Sequence, residues 1–106
     1  MVSKRVNETG YLLLTALSEG ESHGYALARR VSEITDGDVC PGAGSLYSTL
    51  ERLLAIGHIE ESGTEIVDGR ERRRYRISPP GTEALAKHLA RLERRVGAIT
   101  SALGAR

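Results

Sequence analysis

Apolar residues along this chain follow a helical rhythm three times, then a strand rhythm, then a helical rhythm again. The run Leu12, Leu13, Leu14, Ala16 and Leu17 predicts a first helix over about Asn7–Ser18, with Gly20 just past its end. Leu27, Ala28, Val31 and Ile34 recur at spacings of three and four and predict a second helix, with Ser22 as its N-cap and Asp36-Gly37 as its stop. A third runs from Ser45, its expected N-cap, to Leu54, and Gly57 takes the left-handed position after its end. Two strands follow, Ile59 to Val67 and Glu71 to Ile77, joined across Asp68-Gly69, a dipeptide suited to the positive-φ positions of a tight hairpin. Ser78-Pro79-Pro80-Gly81 ends the hairpin and opens a last helix, because proline is tolerated in a first turn.

That last helix carries Leu85, Leu89, Leu92, Val96, Ile99 and Leu103 at separations of four, three, four, three and four. This is an a/d seam, and a stripe sustained over about two and a half heptads calls for a partner helix, supplied by a second copy of the chain. The order of elements predicts an α+β, mostly α chain: a winged helix-turn-helix with a two-stranded β-wing over residues 1–78, and a long C-terminal dimerisation helix over 79–106. The two parts form one compact unit.

The third helix and the hairpin hold the candidate chemistry. On a helical wheel Leu46, Leu50, Leu53 and Leu54 share one arc, while Ser45, Ser48, Thr49 and Arg52 take the opposite one. A merely solvated face would favour good helix formers such as Glu and Lys. Small hydroxyls and a guanidinium instead suit base edges and phosphates in a major groove. Tyr47 lies at the margin of the apolar arc, where packing alone would explain it. Downstream, Arg70, Arg72, Arg73, Arg74 and Arg76 crowd onto one hairpin. Alternation sets Arg72, Arg74 and Arg76 on one face and Arg73, Tyr75 and Ile77 on the other, so Tyr75 and Ile77 can pack inward. Arginine without lysine favours phosphate, which its planar fork binds bidentately. The competing reading is a solvated charge run offset by Glu61, Glu65 and Glu71.

Charge sharpens this picture. Over the 106 residues the formal net charge is +1. Residues 1–62 carry five basic and nine acidic side chains, and residues 63–106 carry ten and five. Positive charge is thus placed in the hairpin and last helix. The basic start, MVSKRVNETG, precedes an apolar stretch of only Tyr11–Leu17, and Glu19 and Glu21 follow where a secretion signal would have its cleavage site. No run reaches the roughly 18 apolar residues of a membrane span. A cytoplasmic protein without membrane contact is expected. Cys40 is the only cysteine, which excludes a disulfide framework and a thiolate cluster; a small, partly buried role outweighs a redox one. His23, His58 and His88 match no metal spacing, although His23, near a helix start, can reach a phosphate. No nucleophile–base pair or phosphate loop is present, so neither enzyme activity nor a cofactor is expected.

The words ESHGYALARRV and PGAGSLYSTLERLLAIGHIE, with the hairpin tail GRERRRYRISPPGTEAL, resemble the PadR family of bacterial transcriptional regulators, over residues 10–105. The length resembles its short type, with a single C-terminal helix. The resemblance implies a homodimeric winged-helix repressor that leaves its operator when a small-molecule effector, often aromatic or cationic, binds. It implies DNA contacts from Ser45, Tyr47 and their neighbours, and from the wing arginines Arg70, Arg72, Arg74 and Arg76. His23 and Tyr25, in the matching His23-Gly24-Tyr25 word, join the candidate DNA-binding residues. Two departures stand out: Ser48 replaces a common proline, and the chain has no Trp or Phe to stack a drug between subunits. In a dimer, two third helices would enter successive major grooves of a near-palindromic duplex, about 34–36 Å apart. The alternatives are a winged helix whose basic hairpin docks an acidic protein, and a metal or redox sensor.

Overall fold

A computed structural model describes residues 6–105. Lys4, Arg5 and Arg106, which enter the charge count above, lie outside the described residues. The elements are α1 (Glu8–Ser18), β1 (Ser22–His23), α2 (Gly24–Ile34), α3 (Ala43–Ala55), β2 (Ile59–Val67), β3 (Arg70–Ile77) and α4 (Pro79–Gly104). The predicted mostly helical winged-helix order is present, with one added element. β1 completes an antiparallel sheet in the order β1-β3-β2, pairing Ser22 with Tyr75 and His23 with Arg74. Two residues are too few for an alternation to register in the sequence.

Local chemistry explains most boundaries. Asn7 caps α1 by accepting from the Gly10 amide at 2.8 Å. α2 is capped by His23, whose Nδ1 accepts from the Ala26 amide at 3.3 Å, and not by Ser22, which is held in β1. α3 begins at Ala43 behind Gly42, two residues before the expected cap at Ser45, and no side chain caps it. Asp68 and Gly69 both take positive φ, 50° and 76°, the conformation that matches hairpin twist. The β2–β3 ladder runs from Ile59↔Ile77 to Val67↔Arg70, with a bulge between Glu61 and Gly63.

The core lies where α1, α2 and α3 meet the inner end of the sheet. Leu13 and Leu14 of α1, Val31 of α2, and Leu50 of α3 are fully buried, and Leu27, Leu53 and Tyr75 are close to it. Arg30 of α2 clamps Glu19, beyond the end of α1, through two bonds of 2.7 and 2.8 Å. α4 is anchored by its cap. The buried Ser78 donates from Oγ to the Gly57 carbonyl at 2.5 Å, accepts from the Gly81 amide at 3.2 Å, and donates from its own amide to His58 at 3.0 Å. A Cβ at Gly81 would fall on the His58 carbonyl oxygen, so only glycine fits this first turn. The helix stays packed on the domain as far as Arg91, and every described residue from Leu92 onward is exposed.

Cys40, expected to be partly buried, is exposed in the loop before α3, with Sγ 3.3 Å from Ser32 Oγ and from the Gly37 carbonyl. The loop is closed by the side chains and backbone of α2's last turn, which leaves the thiol at its rim.

Candidate DNA-binding surface

The N-terminal half of α3 forms an open ridge. Gly42 and Gly44 have nothing within 4 Å of where a Cβ would stand, and Ala43, Ser45 and Ser48 are exposed. Because no side chain caps α3, its first amides remain available, and a helix N-terminus attracts an anion. The run PGAG is the signal for this feature, since small residues ahead of an apolar stripe allow close approach of a phosphate. Reading Ser45 as the cap hid it.

Tyr47 is 39% exposed, with its ring edge on α2: a Cβ at Gly24 would lie 3.1 Å from a ring carbon and 3.2 Å from the hydroxyl. The words His23-Gly24-Tyr25 and Ser45-Leu46-Tyr47 therefore meet in space. Tyr25 is 59% exposed, and the Arg29 guanidinium lies 5.3 Å from its ring centroid. Arg52 is half-buried and interacts within the chain.

Two of the expected contacts are placed elsewhere. Thr49 is buried, and its hydroxyl donates back to the Ser45 carbonyl at 2.7 Å. Four residues before Leu53 and three after Leu46, it borders the apolar arc, and α1 covers it at Gly10. His23 is spent on the α2 cap, and its Nε2 lies 3.9 Å from Glu65 with a side chain only 12% exposed.

The hairpin arginines separate into two groups. Arg73 meets Glu61 at 2.6 Å and Glu51 of α3 at 3.7 Å. The bond to Glu61, with help from nearby charge, holds its guanidinium above the usual pKa. Arg74 meets Glu65 at 3.0 Å and Glu21 at 3.6 Å, and Arg76 meets Glu60 at 3.0 Å and Glu21 at 3.9 Å. Arg70, at the hairpin turn, is exposed and Arg72 half-buried. The inward face holds as expected at the core end, with Tyr75 buried and Ile77 half-buried, whereas Arg73 emerges where the sheet leaves the core.

A cleft of about 840 Å³ lies between α1 and α4, lined by Tyr11, Leu12, His88, Arg91, Leu92 and Arg95 among others. The His88 ring stacks on Tyr11 with centroids 3.7 Å apart and planes 4° from parallel. Arg91 donates to the Tyr11 hydroxyl at 2.9 Å. Burial, and then the charges of Arg91 and Arg95, push the His88 pKa below its ordinary value. No sequence pattern links Tyr11 to residues nearly eighty positions away. Along α4, Leu85 packs partly on the core, while Leu89, Leu92, Val96, Ile99 and Leu103 are 41–62% exposed.

Comparison with known proteins agrees with this architecture. The chain is 35% identical over 98 residues to an uncharacterized 37.1 kDa protein in a transposon of Streptomyces fradiae, covering 87% of this chain but only 26% of that protein. It is 40% identical over 81 residues to the transcriptional regulator Rv3488 of Mycobacterium tuberculosis, covering 76% of this chain and 72% of the relative. The fold matches Bacillus subtilis PadR, solved in complex with operator DNA, with a TM-score of 0.69 at 23% identity over 80% of this chain and 48% of that one. The model of the transcriptional regulator PadR-like family matches residues 13–87, most of the chain, from the α1 core through the wing into α4, and the chain belongs to that family.

Proposed function

We propose that the chain is a cytoplasmic, homodimeric, sequence-specific DNA-binding repressor that responds to a small molecule. One observation carries this reading. The open ridge of α3 and the hairpin tip lie on a compact domain whose last helix presents a long apolar stripe that the other described residues leave exposed. A single recognition helix reads only a few base pairs, whereas a symmetric pair reads two half-sites one helical turn apart. Pairing α4 with a second copy removes the stripe from water and sets that spacing. The operator complex of the Bacillus subtilis relative supports duplex DNA as the partner.

On this reading Ser45 and Ser48, with the first amides of α3, meet bases and phosphates. Tyr25 and Tyr47 flank them. The cleft beside Tyr11 and Arg91 opens next to the apolar stripe, so an occupant there would alter how α4 sits on α1. An effector that binds better to a dimer of another spacing shifts the population away from DNA.

The test is fluorescence anisotropy of the full chain on the DNA upstream of its own gene and on a scrambled duplex, titrated with salt. The expected result is salt-steep binding that favours the upstream DNA by more than about a hundredfold. Equal binding to both would overturn the sequence-specific reading for that site. No binding at low salt would favour a protein partner instead.

A further inference from the structure

The hairpin is less basic than its arginines suggest. Its five arginines are matched by five carboxylates on the same hairpin: Glu60, Glu61, Glu65, Asp68 and Glu71. Glu21 and Glu51, from outside it, add two more at short range. A charge-balanced hairpin has little long-range pull on a polyanion, so what matters is which guanidinium groups keep donors to spare.

Arg73, Arg74 and Arg76 do not. Each meets two carboxylates, one on the facing strand β2 and one on a neighbouring segment: Glu51 of α3 for Arg73, and Glu21, just before β1, for the other two. They strap the wing to the body of the domain. Arg70 and Arg72 differ. Among the described residues neither has a carboxylate within salt-bridge distance. Arg72 faces Glu65 directly across the ladder, yet Glu65 is committed to Arg74 at 3.0 Å and lies beside His23. The Arg72 Nε is shut from solvent and has no acceptor among the described residues. Such an unpaired donor shows that the fold does not satisfy this guanidinium internally, and the half-buried Arg72 keeps its outer nitrogens for an acceptor from outside. Arg70 and Arg72 project from the same face of β3, about 7 Å apart.

We propose that Arg70 and Arg72 at the wing tip are the wing's phosphate-binding pair, and that Arg73, Arg74 and Arg76 are positioning residues that hold the wing at its angle. This assignment rests on the DNA-binding reading above. It narrows the expected set of wing contacts, and it explains five arginines on one hairpin without five phosphates.

Anisotropy across a salt series, on a duplex of about three helical turns, separates the two roles. Arg70→Gln with Arg72→Gln should bind about tenfold more weakly and shallow the log–log salt slope by about two for each chain. Removing a strap arginine alone would expose a repelling glutamate, so those pairs are neutralised together. Arg73→Gln/Glu61→Gln with Arg76→Gln/Glu60→Gln should leave the slope unchanged, because no phosphate contact is lost, while affinity falls by up to about fivefold as the wing is held less firmly. Arg70→Lys with Arg72→Lys should keep the slope and lose part of the affinity, since a point charge replaces a fork. If the tip variant binds like wild type, or the strap variant loses the larger slope, the assignment is overturned. If the wild-type chain binds no duplex at low salt, the DNA-binding reading itself falls, and the assignment with it.

Discussion

Thr49 and Ser45 sit one helical turn apart on α3, and their side chains have opposite fates. Ser45 is open to solvent, whereas Thr49 is 6% exposed and bonds Ser45's carbonyl. The difference comes from α1, where Gly10 brings its backbone close enough for the Thr49 methyl to pack, 3.7 Å from where a Cβ would stand. A helical wheel grades residues by angle and contains no information about the helix that arrives from one side. Thr49→Val should therefore keep the packing and lose only a bond to a carbonyl that the helix already satisfies, within about 1 kcal/mol of wild type. Thr49→Ala should lose about 1 kcal/mol through its missing methyl. Urea melts measure both. Both variants should retain the ratio of specific to scrambled DNA binding, and a Thr49→Val protein of normal stability that loses this ratio would return Thr49 to the DNA surface. His23 carries the same lesson: a histidine before a helix was legible as a feature, but only the closing of the α2 cap shows that its ring nitrogen is occupied.

Among the elements, those with a repeating pattern were readable and those defined by pairing were not. The hairpin, its turn at Asp68-Gly69 and the length of α4 follow from alternation, positive-φ residues and a heptad stripe. β1 has no pattern of its own and exists because β3 offers it an edge. The docking of α4 on α1 is of the same kind. It rests on the Tyr11–His88 stack and on Arg91, joined across most of the chain. This contact gives a pH dependence. Burial and the Arg91 and Arg95 charges lower the His88 pKa from 6.5, and burial lowers that of His58. The unfolded chain then takes up protons more readily than the folded one. This part of the stability is complete above about pH 6.5 and declines as pH falls through that value. The melting temperature should drop between about pH 7.5 and 5.5, and His88→Gln should show a smaller drop. An unchanged drop in His88→Gln would assign the effect to His58 or to carboxylates.

For the whole molecule, α4 dictates the shape. The radius of gyration is 15.5 Å, against about 13 Å for a compact chain of this size, and the long axis is 57 Å. Val96, Ile99 and Leu103 project on the far part of that helix, each about 60% exposed. Burying each against a second copy would contribute about 1–2 kcal/mol toward pairing. Ile99→Asp touches nothing in the domain core. It should yield folded monomers by sedimentation and circular dichroism, with operator binding weakened at least about tenfold through loss of the second half-site. Folded Ile99→Asp dimers would remove α4 from the proposed interface. The order of the four helices and the hairpin, the main apolar faces and the hairpin turn are legible in the residues alone, because each is written in periodicity or in residues with one preferred backbone geometry. Which polar groups remain available for a partner is settled by three-dimensional packing. Arg73, Arg74 and Arg76 are tied to glutamates, Arg70 and Arg72 are not, and Thr49 is covered. Such pairings depend on which segments come within a few ångströms of each other, and local pattern does not encode that distance.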